Sequence, residues 1–412
     1  MSDVPLKPST FLLLLAVAVT GMGQTLVFAI LPSLGRASGL ADIQVGLIIT
    51  CSSLAFALAS PVWGRFSEYL GRRPVLVIGL SGYAGGTLLF ALTFEGGLRG
   101  WLSGSLLLAM LVLARVLQAL VMAASPPAAT AYIADVTSAA ERTRGMGKIG
   151  AAHNFGTIVG PALGGALAVF GLVMPLYVVV LITATMAVVV WRRLPESPWI
   201  LQRARPAHRF SVADAIRASL AAYVDRRLID VLLIGVVMFL CFAMVQQTLG
   251  FMYQDRFALT PVQGASAVGV AMMLAAVTSL LAQAVIVQKL RWAPVTLLKV
   301  AVPAIGVGSL ILLFAPMPSV AAGAIALVGL GLGLGMPGVS SAASLRVGVE
   351  EQGAVAGMMS ACPALGYIFG PIVGTGLYEI APLAPYLLVC VLVLPLALAV
   401  WRLGRHHTGS PD

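Results

Sequence analysis

The sequence predicts an all-α integral membrane protein of twelve transmembrane helices, arranged as two pseudo-symmetric six-helix bundles. Three observations predict it: a composition that no soluble core could hide, apolar runs of spanning length, and a pattern that recurs after 210 residues.

Of the 412 residues, 59% are hydrophobic and only 10% charged, against roughly 25% charged in soluble domains. One soluble core cannot bury that much apolar surface, whereas lipid solvates the outer faces of a helix bundle. The 44 glycines and 24 prolines would break soluble helices, but in a bilayer neighbouring helices re-satisfy the backbone. The net charge of +10 does not indicate nucleic acid, which needs Lys and Arg gathered on one exposed face. Here they punctuate apolar runs. Cys51, Cys241, Cys362 and Cys390 lie far apart within apolar stretches and read as packing residues rather than metal ligands. No metal or cofactor is expected. Lys7 precedes a long apolar run with no small-residue cleavage site, so the first span is expected to be retained.

A spanning helix needs about 20 mostly apolar residues. The first six candidates are Phe11–Leu34, Ile43–Trp63, Pro74–Phe94, Leu102–Ala134, Gly147–Phe170 and Leu172–Trp191. Six more follow at Ile229–Tyr253, Val262–Val287, Pro294–Phe314, Ala321–Ala343, Ala354–Tyr378 and Ala384–Trp401. Tryptophans 63, 101, 191, 199, 292 and 401 fall at or near span ends, as amphipathic rings at an interface do. Between successive spans, 21 of the 25 Lys and Arg fall on one side and only Arg36, Arg99 and Arg256 on the other. That asymmetry predicts cytoplasmic termini and a cytoplasmic central segment.

The central segment divides the chain into an N-terminal bundle (1–191), a linker (192–228) and a C-terminal bundle (229–412). Phe210–Val224 is either a short surface helix capped by Ser211 or part of a basic tether. The halves repeat: Gly156-Thr-Ile-Val-Gly160-Pro161-Ala-Leu-Gly164 returns as Gly366-Tyr-Ile-Phe-Gly370-Pro371-Ile-Val-Gly374. Pro127 and Gly147 match Pro337 and Gly357 at the same offset, and Gln24–Leu26 matches Gln247–Leu249. Transporters built from such repeats place substrate where the repeats meet.

The loop between spans two and three reads G-R-F-S-E-Y-L-G-R-R, from Gly64 through Glu68 and Gly71 to Arg72 and Arg73. Here the chain resembles the major facilitator superfamily, whose signature in this loop is G-x-x-x-D-x-x-G-R-[KR]. Arg115-Val-Leu-Gln118 is similar to that family's R-x-x-Q element. Gly156, Gly160, Pro161, Gly164 and Gly165 resemble the fifth-span motif of its drug:proton antiporter branch. The resemblance implies a cytoplasmic latch of Gly64, Glu68, Gly71, Arg72 and Arg73, with Asp135 and Arg142 as partners. Glu68 replaces the usual Asp, and Tyr69 stands where Arg is common. These arginines alternatively serve only to fix topology. The fifth-span glycines allow close helix approach, serving either a hinge that seals the bundles or simple packing.

Arg115 lies some dozen residues into its span, near the middle of a core ~30 Å thick. An intramembrane arginine faces a cavity or a partner, and Gln118 and Met122 share its helix face. Gln24, Gln246 and Gln247 join them as candidate cavity residues, or as glue between helices. Together these features predict a secondary active exporter of drug-like compounds or an endogenous metabolite such as a siderophore, working by alternating access. The proton gradient is the expected energy source, although the first span carries no acid to hold the proton. A cavity around Arg115 suits an anionic or hydrogen-bonding substrate. A monomer in the inner membrane is expected, with lipid and a small molecule as partners. The alternative is a proton-coupled importer: Pro195-Glu196-Ser197-Pro198 resembles a sugar-porter element, but Trp199 replaces its arginine. An integral membrane enzyme would need a catalytic set at membrane depth, and the sequence offers none.

Overall fold

A computed structural model describes residues 8–137, 142–202, 227–290, 292–347 and 352–407. All regular structure among them is helical. The surface segment proposed at 210–224 lies outside these residues, as does the side chain of Arg142.

Helices α1 (Pro8–Ala37), α2 (Asp42–Leu70) and α3 (Arg72–Leu98) supply the first three spans. The fourth is broken into α4 (Gly104–Met122) and α5 (Ser125–Val136), where one continuous helix was expected. Pro126 and Pro127 cause the break, because neither ring nitrogen can donate and each crowds the carbonyl four residues back. Then come α6 (Arg142–Leu167), closed by a 3₁₀ turn over Ala168–Phe170, α7 (Met174–Arg193) and the short α8 (Pro198–Gln202). The second half comprises α9 (Ile229–Phe257), α10 (Pro261–Ala282, ending in a π turn at Gln283–Val287) and α11 (Pro294–Phe314). It finishes with α12 (Pro318–Ser344), α13 (Gln352–Ile380) and α14 (Ala384–His407).

Ten spans among the described residues are long and apolar enough to cross a bilayer, the fourth counted as one across its break. Helices α6 and α13 occupy the positions of the remaining two expected spans and, at 26 and 29 residues, have the length to cross as well. Leu181, Leu394 and Ile380 are 68%, 69% and 82% exposed. Such large apolar side chains ring the helices because lipid is their solvent.

The helices form two compact units. One contains residues 1–27, 51–163 and 173–219; the other contains 28–50, 164–172 and 220–412. Helices α1 and α2 thus contribute to both. In the first unit α3 packs on α4 and α7. A core of Leu13, Val75, Leu80, Ala128, Tyr132 and Val190 fills the end nearest the 64–73 loop. In the second unit α9 lies on α13, and α12 lies on α10 and α11.

The 210-residue repeat has a structural counterpart. A methyl at Gly156 would sit 2.0 Å from the Ala18 carbonyl oxygen, and one at Gly160 2.3 Å from that of Met22. At the equivalent positions, a methyl on Gly366 would meet Phe239 at 2.4 Å and one on Gly370 would meet the Ala243 side chain at 2.6 Å and the Leu240 carbonyl oxygen at 3.0 Å. Each unit therefore joins two of its helices, α6 to α1 and α13 to α9, through the same glycine ladder.

Candidate functional site

The 64–73 loop is a single turn. Gly71 alone separates α2 from α3, with φ +99°, a left-handed conformation that a side chain would strain. A Cβ there would also lie 2.4 Å from a Glu196 carboxylate oxygen. The turn aims Arg72 inward, where it is only 6% exposed. Its Nε donates to Asp135 Oδ2 at 3.1 Å and a terminal nitrogen donates to Ser67 Oγ at 2.5 Å. Ser197 Oγ donates to the same Asp135 oxygen at 2.8 Å. Glu196 Oε1 accepts from the backbone N–H groups of Arg72 and Arg73 at 3.0 and 3.2 Å. A carboxylate there satisfies donors that the start of a helix leaves open. The Arg72 guanidinium lies 5.4 Å from the Trp199 ring centre, and Arg73 donates to the Trp191 carbonyl. Gly64 faces Pro127 on α5, and Glu68 is half-buried near the end of α2.

The structure brings Arg72 of the loop and Asp135 of α5 together. Glu196, Ser197 and Trp199 join them, a role the sequence reading did not assign. Their signal was present as Pro-Glu-Ser-Pro after the sixth span, read there only as an incomplete porter element. Removing one partner of a buried pair leaves an uncompensated charge. Asp135→Ala is therefore expected to destabilise the protein by about 3–5 kcal/mol, seen as a clear fall in melting temperature. Glu196→Ala, which removes only a cap, should cost about 0.5–2 kcal/mol.

The second feature of this unit lies at the α3–α4 contact. Arg115 stands 11 residues into α4, roughly 17 Å along the axis, and is 6% exposed. It donates to Gln118 Oε1, and Gln118 Nε2 in turn reaches Thr87 Oγ1 and the Tyr83 carbonyl on α3. The Phe90 ring lies 5.3 Å from the guanidinium. Arg115 Nε and the Tyr83 hydroxyl are buried without a hydrogen-bond partner. Among the described residues no carboxylate pairs with Arg115. A positive charge held in this way costs several kcal/mol. Such a charge at membrane depth makes Arg115 a candidate functional residue.

The predicted cavity residues divide between the units. Gln24, Arg115, Gln118 and Met122 belong to the first; Gln246 and Gln247 belong to the second. Gln24 is half-buried on α1, whereas Met122 is 5% exposed at the end of α4. Gln246 Oε1 accepts from the Tyr367 hydroxyl at 2.7 Å, and its amide nitrogen lies 3.7 Å from the Met272 sulfur. Tyr367 stacks on Phe28 with ring centres 5.2 Å apart. Gln247 is fully buried with neither end of its amide paired, an arrangement that costs about 1–3 kcal/mol per group. The fifth-span motif lies on α6: Gly156 and Gly160 on α1, Pro161 and Gly164 buried, and Gly165 against Gly269 and Ser266 of α10. Ser266 Oγ donates to the Gly165 carbonyl at 2.9 Å.

Helices that satisfy their own backbone groups, an apolar exterior, and polar groups held unpaired at depth define a polytopic helical membrane protein. The chain belongs to the Major Facilitator Superfamily, whose family model matches residues 13–371. Multidrug resistance protein 2 of Bacillus subtilis (strain 168) is 27% identical over 411 residues, covering 98% of each chain. The class D tetracycline resistance protein of Salmonella ordonez is 35% identical over 163 residues, 39% of this chain and 38% of that one. These relatives agree with the drug:proton antiporter branch that the fifth-span motif resembles. The nucleoside transporter NupG superposes with a TM-score of 0.74 at 12% identity, covering 98% of this chain and 100% of its own. At that identity the match speaks for the fold alone. The protein is therefore a multi-pass membrane transporter of small molecules rather than an enzyme.

Proposed function

We propose that this protein is a proton-driven exporter of small organic molecules, drug-like compounds or an endogenous metabolite such as a siderophore. It works by alternating access in a bacterial inner membrane, with both termini in the cytoplasm. The two bundles, 1–191 and 229–412, rock against each other, the glycine ladders hold helices together within each bundle, and the Arg72–Asp135 latch holds one of the end states. Arg115, Gln118, Gln24, Gln246 and Gln247 meet the substrate. The observation that carries this reading is the full-length relationship to a multidrug resistance protein, together with a fifth-span motif built into a backbone-to-backbone contact.

Cells expressing the protein should accumulate less tetracycline and norfloxacin than cells with an empty vector, and a protonophore should erase the difference. Higher accumulation in the expressing cells would instead indicate an importer.

A further inference from the structure

A proton-driven exchanger needs a group that gains a proton from one solution and loses it to the other. Carboxylates do not supply it at membrane depth here. Among the described residues every Asp and Glu lies in the first or last turn of a helix or between helices. Arg115 keeps its proton at any pH a cell meets. His153 is different: it stands 11 residues into α6, and the helix runs on for 14 more. An imidazole titrates near pH ~6.5, which makes it the side chain suited to switching charge under physiological conditions.

The ring lies against α1, within the first unit. A methyl at Gly21 would come within 2.9 Å of the His153 carbonyl oxygen and 3.0 Å of its Nδ1. Any side chain at Gly21 would therefore push away both the α6 backbone and the imidazole. Three residues further along, Gly156 meets the same helix at Ala18, so His153 extends the α6–α1 contact by one turn. The residue is nevertheless exposed, although protein lies around it on most sides. That is the setting of a wet recess rather than of a lipid-facing surface.

Its surroundings leave both protonation states open. His153 makes no hydrogen bond or ion pair with the described residues. Helix α1 carries no charged or titratable side chain between Phe11 and Leu34, and the nearest cations on α6, Lys148 and Arg144, are five and nine residues back. A neutral imidazole seeks one donor and one acceptor, whereas an imidazolium seeks two acceptors. A histidine kept for structure would have one of these sets fixed around it. This one exchanges its partners with water, as a group that must load and unload requires. An ionisable side chain within a span is a functional candidate by default, and here the packing gives it no other task.

We infer that His153 carries the proton exchanged for substrate. Its free ring nitrogen takes a proton from the outer solution in one state, and the imidazolium yields that proton to the cytoplasm in the other, with no further bond made or broken. The inference deepens the exchange reading above and rests on it. When proton and substrate occupy the protein in turn, each weakens the binding of the other by the same factor.

The test is the affinity of the purified full-length protein for tetracycline and norfloxacin, measured by equilibrium dialysis from about pH 7.5 to about pH 5.5, either side of the imidazole's ~6.5. The drugs' own titrations are common to every variant and cancel in the ratio of affinities. One competing proton should weaken binding to the starting protein roughly tenfold over that range, relative to His153→Gln, whose amide cannot titrate. His153→Glu restores a titratable group, so its pH dependence should return with the midpoint moved toward acid. A purely structural role would not move that midpoint. An equal pH dependence in the starting protein and His153→Gln would overturn the assignment and leave proton exchange to another group. Should His153→Gln fail to fold, an unmoved midpoint in His153→Glu would overturn it equally. Binding indifferent to pH in every protein would remove proton exchange itself, and binding of neither drug would remove the export reading on which the assignment rests.

Discussion

Replacing Arg115 by methionine is expected to abolish most transport of acidic substrates while leaving the protein as stable as before, or more so. The guanidinium is buried with its Nε unpaired, and no carboxylate among the described residues offsets it. It therefore contributes little to folding that could repay its desolvation. Its removal frees Gln118 Oε1, at a cost of about 1–3 kcal/mol, but Gln118 keeps its bonds to α3. A hydrogen bond to a charged group is worth about 1.5–3 kcal/mol, so losing it to substrate should lower apparent affinity roughly ten- to a hundredfold. Arg115→Lys retains the charge without the planar fork and should fall between the two. Melting temperature and initial transport rate, measured side by side for an acidic and a basic substrate, decide the matter. A normal rate for the acidic substrate in Arg115→Met would end the assignment of Arg115 to the substrate site.

The second large effect is expected at the glycine ladder, where the sign of an ordinary substitution should reverse. Glycine to alanine inside a helix usually gains about 0.8–1.0 kcal/mol. At Gly156 the new methyl would lie 2.0 Å from the Ala18 carbonyl oxygen, and at Gly160 2.3 Å from that of Met22. Both neighbours are backbone, so α1 and α6 must separate by something like an ångström. Overpacking of that kind costs about 1–3 kcal/mol and should stop transport, because the two helices can no longer meet. The same helix supplies the control. Gly147 and Gly150 have nothing within 4 Å of an added methyl, so alanine there should be neutral or mildly stabilising. Equal losses at all four positions would mean that α6 needs glycine for its backbone rather than for its contact with α1.

How much of this was legible in the sequence depends on the range of the interaction. Spans and their order follow from apolar runs, which are local. The ladder was legible as a glycine spacing, and its duplication as a repeat, but which helix it faced was not. Only the fold pairs Gly156 with Ala18. The break between α4 and α5 was signalled by Pro126 and Pro127 yet masked by the apolar run that continues through them. The Arg72–Asp135 cluster was half legible. Arg72 and Asp135 follow from the motif, whereas Glu196 and Ser197 reach it from the far end of the sixth span. Arg36 and Asp255, 219 positions apart, were invisible. Each sits singly at a helix end, where a charge is normally solvated, and only the fold brings them together beside Phe251 and Tyr378.

The central claim is exchange of a small molecule for protons. Its most direct test uses the purified protein in sealed liposomes, with the membrane voltage clamped and protein-free liposomes as the control for passive trapping. With the lumen made acidic, tetracycline or norfloxacin should accumulate inside against its own gradient. A drug gradient alone should in turn drive protons the opposite way. Drug and protons moving in the same direction, or drug movement indifferent to the pH gradient, would contradict the account.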